Sequence, residues 1–223
     1  MEKEKKASSH IEMVLAFVVF FTFVIFLLIF IKPYDKKILP ESVLTSLETE
    51  FKNNVLINLT TTVLRVDTVN DCVNINFPEA INTKIIARDT NKNKLDASAS
   101  GSSLSIQTAE IADIIIAEGL VEKASTCTFD LEESNYTFGS LTKKQVVSYE
   151  QLVALNQSYY SSYEQLKTIL KIPANFNFAI LSNEVNMVRL VPDNYEVNAK
   201  TLNLLVLYSD GTTQYKDIIL KIW

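Results

Sequence analysis

Hydrophobic and polar positions follow three different rhythms along this chain, and each predicts a different element. Residues 13–31 carry no charge and only Thr22 is polar, so this run shows neither a helical stripe nor strand alternation. At about 1.5 Å per residue it reaches roughly 28 Å, close to the ~30 Å hydrocarbon thickness that a membrane-crossing helix must match. The run therefore predicts a retained single-span helix. A cleaved secretory signal would have a shorter apolar core and a small-residue cleavage site behind it, whereas Ile31-Lys32-Pro33-Tyr34 follows here. Pro33 and Pro40 mark a break. Helical spacing then takes over at Leu44, Leu47 and Phe51 and predicts a short amphipathic helix ending at Asn53-Asn54.

From residue 55 to 131 the period drops to two. The β-branched run at 55–66, the alternating CVNINF at 72–77, and KIIAR, SLSIQ, ADIIIAE and STCTFDL are parted by polar stretches such as 89–96 and 98–103. Short strands with turn signals at this spacing predict an antiparallel sandwich-like sheet. Between 145 and 171 the helical period returns. The pentapeptide SYEQL occurs at 148–152 and again at 162–166, two heptads apart, so both copies fall on nearly the same helix face. Leu152, Leu155, Tyr159, Tyr163, Leu166 and Leu170 form one stripe. Two heptads are too few for a coiled coil, and the stripe suits packing onto a sheet. Pro173 closes the helix. The last fifty residues read as two hairpins, the second turning through Ser209-Asp210-Gly211, where Asp-Gly favours positive φ.

The expected fold is a single N-terminal transmembrane α-helix plus a β-rich α+β ectodomain. That ectodomain is an antiparallel sandwich-like sheet followed by one amphipathic helix and a four-strand antiparallel meander.

Charge narrows the function classes. The chain has 21 basic and 26 acidic residues, a net of −5, and no basic patch of the kind nucleic acid requires. Three lysines precede the apolar run (Lys3, Lys5, Lys6) and three follow it (Lys32, Lys36, Lys37), so the positive-inside bias does not orient it. The only histidine, His10, precedes the run, which leaves the rest of the chain without a Ser-His-Asp or Cys-His pair. The stretch 89–96 opens like a calcium loop with Asp89, Asn91 and Asn93. It has Lys94 and Ser100 where glycine and glutamate are needed, and it reads as a hairpin turn. Adjacent Glu132 and Glu133 point to opposite sides of a strand and read as solvated rather than as an acid/base pair. No metal, cofactor or enzymatic activity is expected.

Cys72 and Cys127 belong to no C-x-x-C motif. A bridge between them would be worth roughly 4 kcal/mol in the chain-entropy model, and two buried thiols are the equal alternative. Asn58, Asn135 and Asn156 each begin an N-x-[ST] triplet, which permits glycosylation without arguing for it.

Glu12 sits at the threshold of the apolar run. Ser9-His10-Ile11-Glu12 fits the capping box, with Ser9 as N-cap and Glu12 reaching back to its amide. A charged leader ending in Lys5-Lys6-Ala7, a short polar step, and an apolar run with Glu12 as the fifth residue after Ala7 resemble the class III signal peptide of type IV pilins and archaeal pilin-like proteins. The resemblance implies cleavage between Ala7 and Ser8 by a prepilin-type peptidase and retention of the apolar helix in the lipid bilayer. It further implies that Glu12 lies near the new amine of a neighbouring subunit and fixes the register of a head-to-tail assembly.

On that resemblance the chain divides into a leader peptide (1–7), a transmembrane helix (8–32), a linker and short helix (33–54), a β-sandwich-like region (55–140) and a helix plus antiparallel meander (141–223). The implied function is a membrane-anchored pilin-like surface protein, a structural or adhesive subunit of a type IV pilus-like assembly. Its partners would be the pilus assembly machinery and other pilin-like subunits. Its place would be the cell membrane, single-pass with a short cytoplasmic N-terminus and an extracellular C-terminal domain, or a surface filament. The alternative is a signal-anchored extracellular β-domain that binds a ligand or partner without polymerising, with Glu12 serving only as a cap.

Overall fold

The computed structural model describes residues 2–30, 38–67, 71–107, 109–123, 127–191, 193 and 195–223, with side chains described at 12–27 and from residue 39 onward. The chain divides into two compact units, 1–42 and 43–223.

The first unit is dominated by helix α1 (Glu2–Phe30). The helix begins at Glu2, so Ser9 lies inside it and does not cap its start, because an N-cap residue has non-helical backbone. Its first third is Lys- and Glu-rich, and these are good helix formers. The expected membrane span is overturned: among the described residues no helix is long and apolar enough to cross a membrane. The uncharged stretch with described side chains covers 13–27. With that span fall the pilin-like assignment, the single-pass membrane localisation, the bilayer, peptidase and pilus-machinery partners, and the signal-anchored alternative. The apolar side chains of this stretch stand exposed, Met13 at 73%, and the Thr22 hydroxyl donates to the Val18 carbonyl at 2.7 Å.

Helix α2 (Ile38–Val55) precedes strands β1 (Leu56–Val66), β2 (Cys72–Ile81), β3 (Lys84–Asp89), β4 (Lys94–Leu95), β5 (Ala97–Gln107) and β6 (Ile111–Ala117). Then come β7 (Tyr136–Phe138), β8 (Thr142–Ser148), helices α3 (Tyr149–Ser161) and α4 (Tyr163–Ile169), and β9 (Phe178–Leu181), β10 (Asn186–Met187), β11 (Asn198–Leu207) and β12 (Thr213–Ile222). Ten strands form one open sheet in the order β10-β9-β12-β11-β8-β1-β6-β3-β4, with β7 beside the end of β1, and β2 and β5 form a separate ribbon. Every pairing is antiparallel except β8 with β11.

This mixed, unclosed α+β architecture corrects the expected sandwich plus meander. Both C-terminal hairpins form, but β9 pairs with β12 and leaves β10 at the edge, which is not a meander order. The parallel β8–β11 pairing joins the two halves into one sheet. The expected single helix is two, broken at Ser162, whose φ of −145° leaves the helical region, and residues 142–148 before it are strand β8. Ser148 caps α3, its Oγ accepting from the Gln151 amide at 3.4 Å. The stretch STCTFDL forms no named strand among its described residues and touches the ribbon through a bridge between Asn74 and Asp130. Residues 98–103, expected to turn, lie within β5, where Gly101 takes φ +61° opposite a register shift in β2.

Neighbouring residues on a strand face opposite sides of a sheet, and here the two sides differ. On one side Leu47 and Phe51 of α2 and the stripe residues Leu152, Tyr159 and Leu166 bury Phe178, Ile180, Val206, Ile218 and Leu220. Farther along the same side the ribbon lays Val73, Ile75, Leu104 and Ile106 over Leu64, Ile85 and Ile114. Cys72 and Cys127 form a disulfide with a Cα–Cα distance of 5.4 Å, which ties the start of the ribbon to the segment carrying Leu131, itself part of this core.

The other side has one small buried cluster: Ile57, Leu59, Ile86, Ala117, Leu120, Val146 and Leu207. The turn between β11 and β12 comes down on it at Gly211. With φ +86° and the Ile86 and Ile115 methyls 3.3 Å from where a Cβ would stand, glycine suits this position. The Val121 amide donates to the Ser209 carbonyl at 2.9 Å and ties the loop bearing Leu120 to that turn. On either side of this plug the sheet face is open.

Candidate functional site on the open sheet face

The first opening is a groove of about 330 Å³ over β1, β6 and β3. Thr61 and Val63 of β1, Asp113 and Ile115 of β6 and Arg88 of β3 line it, with Ser140, Thr142 and Lys92 at its margins. Register accounts for the grouping. Asp113 stands opposite Arg88 on one side and Val63 on the other, so one row of three strands delivers a cation, a carboxylate and an apolar side chain to the same face. Val63 is 44% exposed, although it sits in mid-strand.

Lys92 reaches the groove from the β3–β4 turn. The Asp89 carboxylate organises that turn, accepting from the Asn91 and Asn93 amides at 2.8 Å each and from Asn93 Nδ2 at 2.9 Å. The Asn93 side chain is the largest influence on Asp89. With the Asn93 and Asn91 backbone donors it outweighs desolvation and holds the carboxyl below its ordinary value. Lys92 takes φ +67°, and its Nζ lies 2.6 Å from Asp113 Oδ2. Arg88 Nη2 donates to the Asp210 carbonyl at 2.6 Å and so braces the β11–β12 turn at the groove's rim. The lining thus brings the cations Arg88 and Lys92 and the carboxylate of Asp113 together with the hydroxyls of Thr61, Ser140 and Thr142 and the apolar Val63 and Ile115. It is equipped to hold a ligand by charge and contact.

None of the residues singled out in the sequence lies in this groove. Cys72 and Cys127 are joined to each other at the ribbon. Asn58 is exposed in mid-strand opposite Gln145. Asn135 is half-buried at the end of a short 3-10 turn, and Asn156 is half-buried on α3 with a buried Oδ1. Ala7, Ser8 and Ser9 fall within α1, with side chains outside the described residues, while the Glu12 side chain is exposed. Glu132 and Glu133 are exposed. Among the described residues no group of three or more His, Cys, Asp or Glu could hold a metal ion.

The groove residues were visible in the sequence only as polar alternates. Arg88 sits two positions after Ile86, and Thr61 lies inside a threonine triplet. Such alternates read as ordinary solvent-facing positions of half-buried strands.

Fold and groove together define an α+β domain with one sheet face covered and the other partly open. Compared with protein family models, with curated proteins and with solved structures, the chain matches none.

Proposed function

We propose that the 43–223 unit is a non-catalytic recognition module that holds its ligand against the open sheet face, in the groove over β1, β6 and β3. The observation that carries this reading is the convergence of Arg88 and Lys92 on a concave surface whose only carboxylate is Asp113. Two cations against one carboxylate leave the cleft an excess of positive charge, which raises the local concentration of anions. The ligand fitting this lining has an anionic group between Arg88 and Lys92 and a small apolar part on Val63 and Ile115. No side chain of the lining is paired as nucleophile and base, which supports holding over turnover. The Cys72–Cys127 bridge suits an oxidising compartment, where such bonds persist.

The test is a titration with short aliphatic carboxylates followed by amide chemical shifts. Saturable shifts at Thr61, Asp113 and Ile115 are expected, and Arg88→Glu should abolish them while leaving the circular-dichroism spectrum intact. Shifts scattered over the molecule, or retained unchanged in Arg88→Glu, would refute the reading.

A further inference from the structure

Across the plug from the groove, the open face continues over β11, β12 and β9. Register places Tyr215 opposite Leu205, and Asp217 opposite Asn203, so the phenol ring and both polar groups stand on one side two residues apart. Tyr215 is 70% exposed on this face. Asn203 Nδ2 donates to Asp217 Oδ1 at 2.7 Å, which fixes both groups and leaves an accepting oxygen on each. Ser182 Oγ accepts from the Glu184 and Val185 amides at 3.1 Å each, which leaves its O–H to donate. Asn183 is exposed beside it. Leu181 and Ile219, paired across β9 and β12, are apolar parts of the same lining. The hollow holds about 410 Å³. Lys216 Nζ is engaged by Glu184 Oε1 at 2.8 Å, so among the described residues Asp217 is the charge without a cationic partner here, and an anionic ligand is disfavoured.

The geometry points to a carbohydrate subsite that takes one neutral pyranose unit of an oligosaccharide. The sugar's C–H face lies on the Tyr215 ring, and its hydroxyls meet Asp217, Asn203, Asn183 and Ser182. The argument is one of matching inventories. A vicinal diol donates and accepts from adjacent oxygens. A carboxylate, two amides and a hydroxyl lining one hollow supply both partners, and the exposed ring supplies a flat apolar surface with a polar edge. A cationic side chain could use the ring and Asp217, but it would leave the amides and Ser182 without a role. This subsite extends the recognition-module reading and uses none of the groove residues.

The full chain is titrated with maltotriose, cellotriose and tri-N-acetylchitotriose, and separately with arginine methyl ester, while the amide signals of Asn203, Tyr215 and Asp217 are followed. At least one trisaccharide should shift these signals saturably with Kd below about 10 mM. Tyr215→Ala and Asp217→Asn should each weaken it about tenfold or more, and Tyr215→Phe should retain it. Carboxylate binding at Thr61 and Asp113 with no trisaccharide response would overturn the subsite and leave the module reading standing. A response to arginine methyl ester alone would equally overturn it.

Discussion

The two faces of the ten-stranded sheet are built from the same strands, residue by residue in alternation, yet they serve different ends. On the covered face, α2, α3, α4 and the β2–β5 ribbon bury nearly every side chain they meet, and the buried Tyr159 hydroxyl donates to the Phe178 carbonyl at 2.8 Å. On the open face, a seven-residue cluster is flanked by rows in which charged, hydroxyl and aromatic groups stand in mid-strand. Stability is concentrated on one side and displayed chemistry on the other. Substitutions on the two sides should therefore separate in kind as well as in size.

The largest separation is expected from Phe51→Ala. Phe51 is fully buried between α2 and the sheet, and its truncation should cost about 3–5 kcal/mol, read as a lowered urea midpoint at unchanged slope. Equal stability in the variant would mean that the helix layer is not what holds the sheet. Next comes the ribbon's staple. Replacing Cys72 and Cys127 by alanine opens a bridge across 55 residues of sequence and should cost roughly 2–4 kcal/mol. Native-state hydrogen exchange should show the loss first in β2 and β5.

A smaller effect follows from alkali. Burial, the leading influence on both groups, raises the Tyr159 and Tyr163 hydroxyls above their ordinary value. Each folded-state pKa lies above the unfolded value of about 10. The stability these groups contribute is therefore complete below that pH and is lost as pH climbs through the folded-state value. Unfolding free energy measured from about pH 9 to 11 should decline in the native chain. It should decline less steeply in Tyr159→Phe, which itself costs about 1 kcal/mol for the hydrogen bond. The smallest effect belongs to the open face. Tyr215→Ala should change stability by no more than about 0.5 kcal/mol, and a cost several times larger would show that the ring is structural.

How much of this was legible depended on how far apart the deciding residues lie. The stripe from Leu152 to Leu170 spoke for itself, and all six side chains are buried in the helix–sheet core. The Asp210-Gly211 turn was equally plain, because its φ requirement is local. The strand order was not. Nothing near Phe178 says that it will pair with Ile222 rather than with β11, since that choice is made by the shared apolar face of Phe178, Ile180, Ile218, Leu220 and Ile222 against the helices. The groove was hidden for the same reason. Arg88 and Lys92 are near neighbours in the chain, but Asp113 comes from β6, and only cross-strand register brings it to them. The apolar run near the N-terminus misled in the opposite sense: its composition was local and emphatic, but among the described residues no helix is long and apolar enough to cross a membrane.

The position of the β11–β12 hairpin within the sheet has a temporal meaning. Residues 198–222 supply two strands of the interior, with β9 on one flank and β8 on the other, although both flanking strands precede them in the chain. During synthesis everything before them emerges first, and until they arrive β8 and β9 are bare edges exposing the surface that β11 and β12 will hide. The middle of the sheet must therefore wait for β11 and β12, and for that interval the nascent chain depends on whatever shields unpaired strands from one another.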